Sequence, residues 1–123
     1  MCVCFVAMSV HAYNECVGGT EITAKNGAKF CKSDKTMDWW TAFAWCESQG
    51  RKLADFSVMC PGIPQQLADK KGACPNLQGL GDNVWLWSSL TYRSSQAFFV
   101  NFSSRAVSCY GARDDRYGFA LCE

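Results

Sequence analysis

The residues with the most chemical capacity lie near the end of the chain, in residues 108–123. Two adjacent carboxylates, Asp114 and Asp115, lie there between Arg113 and Arg116. Adjacent side chains point to opposite faces of a strand and diverge in a turn, whereas the two carboxyl groups of a glycosidase face each other across about 5 to 10 Å. This spacing does not predict a catalytic acid pair.

The only histidine, His11, lies in the apolar leader MCVCFVAMSVHA. The leader has about the length of a signal-peptide core and offers Val10 and Ala12 for a cleavage site, although it carries no Lys or Arg. We expect residues 1–12 to be a signal-peptide remnant and residues 13–123 to be the mature domain, which would be secreted, periplasmic or on the cell surface. An ordered N-terminal strand is the alternative. Cleavage removes the only imidazole and excludes Ser-His-Asp and Cys-His enzymes, so no enzyme is predicted.

Nine cysteines are a high number for a chain of 123 residues. Zinc sites prefer closely spaced cysteine pairs, but the only such pair, Cys2 and Cys4, lies in the leader. The other cysteines are scattered, which is typical of a disulfide framework made in an oxidising compartment. We therefore expect disulfides, no metal site and no cofactor.

Length and charge limit the remaining possibilities. A chain of 123 residues has room for one domain with a real core and not for two. The formal net charge of +1 gives no broad basic surface, so nucleic acid is not an expected partner. Outside the leader no stretch approaches the ~20 apolar residues that a membrane span needs, so none is expected in the mature chain.

A hairpin and a helix are predicted in the first half of the chain. Asn26 and Gly27 lie between short apolar runs and predict a type I′ hairpin turn. Further on, Asp38 is a suitable helix N-cap, and Gly50 suits the left-handed position after the last turn. Between these caps lies one apolar stripe of Trp39, Ala42, Phe43 and Cys46, widened by Trp40 and Ala44. Helical spacing favours a core stripe packed on a sheet, and a sugar platform at the tryptophan pair is the alternative.

The second half is predicted to be irregular and then rich in strands. Residues 58–79 contain all three prolines, and we expect a short helix around Gln65 to Lys70 in a loop closed by Cys60 and Cys74. Apolar segments then predict strands at residues 84–90, 96–102, 106–110 and 117–123, with a hairpin turn at residues 103–105. A hairpin, a helix, a loop region and then strands predict an α+β domain.

At these spacings the chain resembles a C-type lectin-like domain, from about Phe30 to Glu123. The family helix reads roughly W-x-x-A-x-x-x-C-x-x-x-G-x-x-L-A, and the matching residues here are Trp39, Ala42, Cys46, Gly50, Leu53 and Ala54. The family strand W-I-G-L corresponds in part to residues 85–88, and the terminal F-x-C-E to residues 119–123 with one extra residue. The resemblance implies one main helix and a short second helix packed on antiparallel sheets and stapled by disulfides. It also implies a disulfide between Cys46 and Cys122.

The remaining cysteines leave one without an assigned partner. The nine cysteines less Cys2 and Cys4 are seven, an odd number. Once Cys46 is paired with Cys122 and Cys60 with Cys74, a bridge between Cys16 and Cys31 would staple the N-terminal hairpin. Cys109 is then the odd cysteine, either buried as a small hydrophobic residue, which is favoured, or available to a partner. The resemblance leaves one alternative open, a bridge from Cys60 or Cys74 to Cys109, which would make another cysteine the odd one.

The sequence departs from carbohydrate-binding members of this family where they bind calcium. Those members carry E-P-N or Q-P-D in a long loop after the W-I-G-L strand and W-N-D on the next strand. Here only the segment from Leu90 to Gln96 separates the two predicted strands, and neither triplet occurs. Calcium needs six to eight oxygen ligands, so a calcium-dependent lectin is not expected. The chain is more similar to the compact prokaryotic lectin-like modules of surface and pilus-associated proteins.

Recognition of a ligand is the function that these residues favour. Tyrosines, arginines, serines and aspartates form a paratope-like mixture in two segments of the chain. The resemblance implies that these segments lie on the face that ligand-binding and diversity-generating variable members of the family use. The candidate ligand-binding residues are Trp87, Tyr92, Arg93, Ser95, Tyr110, Arg113, Asp114, Arg116 and Tyr117. Behind them we expect a buried scaffold of Trp85, Phe119 and Leu121. The partner would be an unknown surface protein or a glycan.

Three alternatives to this prediction stay open. A carbohydrate-binding lectin would use Trp87 or Tyr110 as a stacking platform. A non-binding structural module of a surface or pilus assembly would have no ligand. The closing stretch would also be explained without any ligand by a solvated hairpin held by Arg–Asp pairs.

Overall fold

The computed structural model describes residues 16–62, 76–77, 80, 84–92, 94–101 and 109–123. The predicted leader, the helix at residues 65–70 and the turn at residues 103–105 lie outside these ranges. Within the described part, two helices and six strands confirm the predicted α+β class. In chain order they are β1 Gly19–Thr23, β2 Lys29–Met37, α1 Trp39–Ser48, α2 Phe56–Met59, β3 Trp85–Tyr92, β4 Gln96–Asn101, β5 Cys109–Ala112 and β6 Gly118–Cys122.

The described strands form one mixed sheet in the order β1-β2-β6-β3-β4-β5. Every neighbouring pair is antiparallel except β3 and β6, which are parallel. The connection after β5 crosses β4 and β3 instead of turning back, so β6 enters between β2 and β3 in the direction of β3. The expectation of purely antiparallel sheets is therefore wrong at this pair.

The sheet has a hydrophobic cluster on each face. On one face, Trp39 and Ala42 of α1 pack with Trp87 and Ala120. On the other, Phe56 and Met59 of α2 pack in a cluster with Phe30, Leu86 and Leu121. Consecutive residues of β6 contribute to opposite clusters because side chains alternate along a strand. Burial on both faces explains why this strand is apolar without interruption.

The ends of α1 confirm the predicted caps. At the N-terminus, the Asp38 carboxylate accepts a hydrogen bond from the backbone N–H of Thr41 at 2.7 Å. At the C-terminus, Gly50 has a φ of 70°, which costs a glycine little. The N–H of Arg51 donates to the carbonyl of Cys46, and that of Gly50 to the carbonyl of Glu47. These two bonds form a Schellman motif.

The β1–β2 hairpin is present, but its turn differs from the predicted type I′ turn. The N–H of Gly27 donates to the carbonyl of Ala24 at 2.9 Å, which makes Lys25 and Asn26 the central residues of the turn. Gly27 follows them with a φ of 90°. A local bond from the N–H of Ala28 to Oδ1 of Asn26 and a distant one from the N–H of Asn26 to Oδ1 of Asn76, at 3.0 Å, hold this arrangement.

Two predicted disulfides staple the sheet and α1. Cys16 is bonded to Cys31, and Cys46 of α1 is bonded to Cys122 of β6. Cys31 lies opposite Cys122 in the β2–β6 register, so the two bridges are neighbours. Cys60 is also disulfide-bonded, and its predicted partner, Cys74, lies outside the described residues.

Neither described helix could span a bilayer. The longer one, α1, has ten residues, about half of what a hydrocarbon core requires.

Candidate recognition surface

The loop after β5, residues 113–117, packs against the beginning of α1. The backbone N–H of Trp39 donates to the carbonyl of Arg113 at 2.9 Å, and the N–H of Arg113 donates to the carbonyl of Ser95 at 2.8 Å. The structure thus brings two predicted site residues, Ser95 and Arg113, into direct contact. We call the N-cap and the beginning of α1 (residues 38–43) together with the loop 113–117 the α1–loop surface.

The side chain of Arg113 lies inside this surface. Its Nε donates to the carbonyl of Gln96 at 3.3 Å. Its guanidinium carbon lies 4.7 Å from the ring centroid of Trp39 and 4.9 Å from that of Trp40. Both distances are within the range of a cation–π contact. Arg113 is only half-exposed, so it joins β4, the loop and α1.

The two adjacent tryptophans of α1 have different environments. Trp39 is 6% exposed, and its Nε1 donates to the carbonyl of Ser88 in β3 at 2.9 Å. Trp40 is 54% exposed and stands edge-on to Trp39, with the ring centroids 5.0 Å apart and the planes at 87°. The expectation that both rings belong to the core is confirmed for Trp39 and wrong for Trp40.

Two further residues of the predicted stripe are also exposed. Phe43 is 37% exposed and packs at 5.3 Å against Trp39, and Ala44 is exposed. Only Trp39, Ala42 and Cys46 of α1 are buried, because a single narrow stripe of the helix faces the sheet. Trp40 and Phe43 are therefore surface aromatics that the sequence-based site prediction missed. The sequence did contain a signal for them. The apolar residues of α1 are spread around the helix, so one packed side cannot bury them all.

The charged residues of the loop include exposed groups of both signs. Asp114 and Arg116 are exposed, and Tyr117 is 72% exposed, as the recognition prediction requires. Asp115 is half-buried, and its N–H donates to the carbonyl of Ala112 at 3.1 Å, which closes the turn. The exposed charges and rings thus project from a backbone that is fixed by hydrogen bonds.

The structure contradicts one member of the predicted site. Trp87 is completely buried, and its Nε1 donates to the carbonyl of Met37 at 2.8 Å. A ring enclosed by the α1-side cluster has no free face, so Trp87 is neither a ligand contact nor a sugar platform. Of the expected scaffold, Leu121 is buried, whereas Trp85 and Phe119 are only half-buried.

The other predicted residues are placed only by their backbones. Tyr92 is paired with Gln96 in the β3–β4 register, and Tyr110 with Phe98 in the β4–β5 register. Their side chains and all of Arg93 lie outside the described part of the structure. The clustering of Tyr92, Arg93 and Tyr110 with the loop therefore stays a prediction.

The next features are the possible metal ligands and the connection in which calcium-binding lectin-like domains would carry them. Within them, no three His, Cys, Asp or Glu side chains lie close enough together to hold a metal. Residues 93–95 alone join β3 to β4. This connection is shorter than the Leu90 to Gln96 segment expected from the sequence, because β3 continues to Tyr92.

Asp38 gives the surface a pH-dependent contribution to stability. Hydrogen bonds from Thr41 lower the pKa of Asp38 against the opposing effect of burial, and the charge of Arg116 lowers it further. A folded-state pKa below the unfolded one stabilises the protein above the unfolded pKa, and this contribution is lost as the pH falls through the folded-state value.

We expect Asp38→Asn, which keeps a capping oxygen, to isolate this charge effect. Near neutral pH the variant should be less stable by about 0.3 to 1 kcal/mol, the usual value of a charge at a helix N-terminus. The difference should shrink below about pH 4, where the unfolded carboxyl and then the folded one become protonated. Urea unfolding between pH 3 and 7 measures it, with Asp38→Ala as the control that also removes the cap. Parallel stability curves through the acidic range would contradict the assignment.

Comparison with known proteins adds no family assignment. No protein-family model matches this chain, and no curated protein matches its sequence. Its function is therefore inferred from its own residues and their geometry.

Proposed function

We propose that this chain is an exported, calcium-independent recognition module of the C-type lectin-like type, without catalytic activity, that binds a protein on a cell surface. The observation that carries the proposal is the α1–loop surface. There an exposed indole, Trp40, lies against Arg113, the first residue of a loop whose exposed side chains are Asp114, Arg116 and Tyr117. Exposed aromatic rings and arginines are the residues that most often dominate protein interfaces.

The sheet and the disulfides support the lectin-like assignment. The first strands lie beside the last one, and α1 is bonded to β6 through Cys46 and Cys122, the bridge that the resemblance implies. The three matched motifs lie on α1 and the segment after it, on β3 and on β6, and residues of all three share one hydrophobic cluster. Two disulfides support export, because such bonds persist in oxidising compartments.

The short connection between β3 and β4 supports calcium independence. In carbohydrate-binding members of the family the corresponding connection is the long loop that supplies calcium ligands. Residues 93–95 are too few to contribute a carboxylate and amide set of that kind. Titration calorimetry with calcium should give no binding heat, and a micromolar site would contradict the proposal.

A carbohydrate ligand is the second candidate, because Trp40 presents an exposed ring of the type on which sugars stack. The loop that packs against this helix exposes charges of both signs, Asp114 and Arg116, which favours a protein partner. A glycan array separates the two candidates. It should stay blank for a protein-binding module and should give hits that depend on Trp40 for a lectin.

The main test compares binding of the fluorescently labelled protein to a panel of partner cells. Trp40→Ala and Tyr117→Ala should each weaken binding to the positive cells at least tenfold while the Tm changes by a few degrees at most, since both rings are exposed. Val17→Ala is the matched control. Val17 is 66% exposed, and it is hydrogen-bonded to Gln49 at the opposite end of α1. Unchanged binding of both aromatic variants, or no binding to any cell by the native protein, would contradict the proposal.

A further inference from the structure

We infer that Arg113 is a positioning residue of the α1–loop surface: it holds the Trp40 indole in one orientation, and Asp114 and Arg116 supply the charges that face the ligand. The consequence for binding rests on the proposed function. The positioning itself is a property of the folded chain and is tested without a ligand.

The backbone of Arg113 is fixed on both sides. Its N–H donates to Ser95 in the turn between β3 and β4, and its carbonyl accepts from Trp39 at the first residue of α1. The side chain therefore leaves the loop at a defined place, between β4 and the helix. The bond from its Nε to the carbonyl of Gln96 then sets the direction of the guanidinium group.

This direction places the guanidinium against both indoles. Trp39 cannot move, because it is buried and its Nε1 is bonded to the carbonyl of Ser88. Trp40 contacts two fixed groups. Its ring centroid lies 5.0 Å from that of Trp39, in an edge-on arrangement, and 4.9 Å from the guanidinium carbon of Arg113. A half-exposed tryptophan without such neighbours would exchange between rotamers, and a ligand would have to order it. Arg113 removes that cost before binding.

The neighbouring charges have a different role. Asp114 and Arg116 are exposed, whereas Arg113 is half-buried and stacked. A cation that is held on two rings and a backbone carbonyl has little freedom to follow a ligand carboxylate. Arg113 therefore belongs to the frame with Trp39, and substitutions at residues 114 and 116 should change ligand preference without moving Trp40.

Fluorine NMR of protein labelled with 5-fluorotryptophan tests the inference, with the Trp40 resonance assigned from Trp40→Phe. Arg113→Met keeps the length of the side chain and removes the guanidinium. It should shift the Trp40 and Trp39 resonances and narrow the Trp40 line as the ring gains rotamer freedom. Arg113→Lys, which keeps the charge but not the planar group or the Nε donor, should shift Trp40 in the same direction, and it serves if the methionine variant fails to fold. Arg116→Met is the matched control and should leave both resonances in place.

The outcomes separate positioning from binding. A Trp40 resonance that is unchanged in the Arg113 variants, or that moves equally in Arg116→Met, would overturn the inference. In the cell-binding assay, Arg113→Met should weaken binding about three- to tenfold through the added ordering cost of Trp40. If the resonance shifts as expected while no variant changes binding, the positioning role holds and the proposed function fails.

Discussion

Replacing Cys46 and Cys122 together by alanine should lower the free energy of unfolding by roughly 4 to 5 kcal/mol. This disulfide joins residues 76 positions apart, and a bridge restricts the unfolded chain more strongly when it closes a longer loop. It also connects α1 directly to β6, a central strand of the sheet. Since small domains are stable by only about 5 to 15 kcal/mol, the variant should be close to unfolding at room temperature.

The bridge between Cys16 and Cys31 provides the matched control. Its sequence separation of 15 predicts a smaller loss, roughly 3 kcal/mol. Both cysteines of a bridge have to be replaced, because Cys31 lies opposite Cys122 and a remaining thiol would lie next to the other disulfide. Guanidinium unfolding followed by tryptophan fluorescence measures both losses. A smaller loss for the Cys46/Cys122 variant than for the Cys16/Cys31 variant would contradict the assignment of the main staple.

Local signals in the sequence were sufficient for the helix and for most strands. The Asp38 cap depends on a residue three positions away, and the Gly50 motif is complete within six residues. Likewise, β6 is buried on both faces of the sheet and is therefore apolar along its whole length. In each case the physical cause lies in neighbouring residues, so the sequence pattern contains it.

Features that depend on distant contacts were not predictable in the same way. The β1–β2 turn is hydrogen-bonded to a residue far along the chain, since the N–H of Asn26 donates to Asn76, 50 residues away. The parallel pairing of β3 with β6 follows from a crossover of the loop 113–117. The helix α2 is a single turn of four residues, too short to give a periodic pattern. Rules that use only neighbouring residues predict none of these three features.

The candidate site was predictable in composition and less so in detail. The loop residues Asp114, Arg116 and Tyr117 stand out as a charged and aromatic group, and they are exposed. Trp87 is an aromatic residue that could equally be a platform for a ligand, but it is buried under α1. Trp40 has the signal of a core residue but lies at the surface. Aromatic residues serve both purposes, so only the packing direction of the helix separates them.

The adjacent tryptophans of α1 provide the second large expected effect. Trp39→Ala should lower the free energy of unfolding by roughly 3 to 5 kcal/mol, because it leaves a large cavity between helix and sheet. It also removes the donor that satisfies the carbonyl of Ser88. Trp40→Ala should cost less than about 1 kcal/mol, the sum of a small surface effect and the loss of a partly exposed cation–π contact with Arg113.

Thermal or urea unfolding of the two variants, monitored by far-UV circular dichroism, measures this contrast without depending on the altered tryptophan signal. The comparison is well matched because both substitutions remove the same side chain from consecutive positions of one helix. Equal losses would mean that Trp40 packs into the core, and the α1–loop surface would then lack its central ring. A large loss for Trp39 alone would mean that the Trp40 indole has little role in stability, as the proposed recognition role of this ring requires.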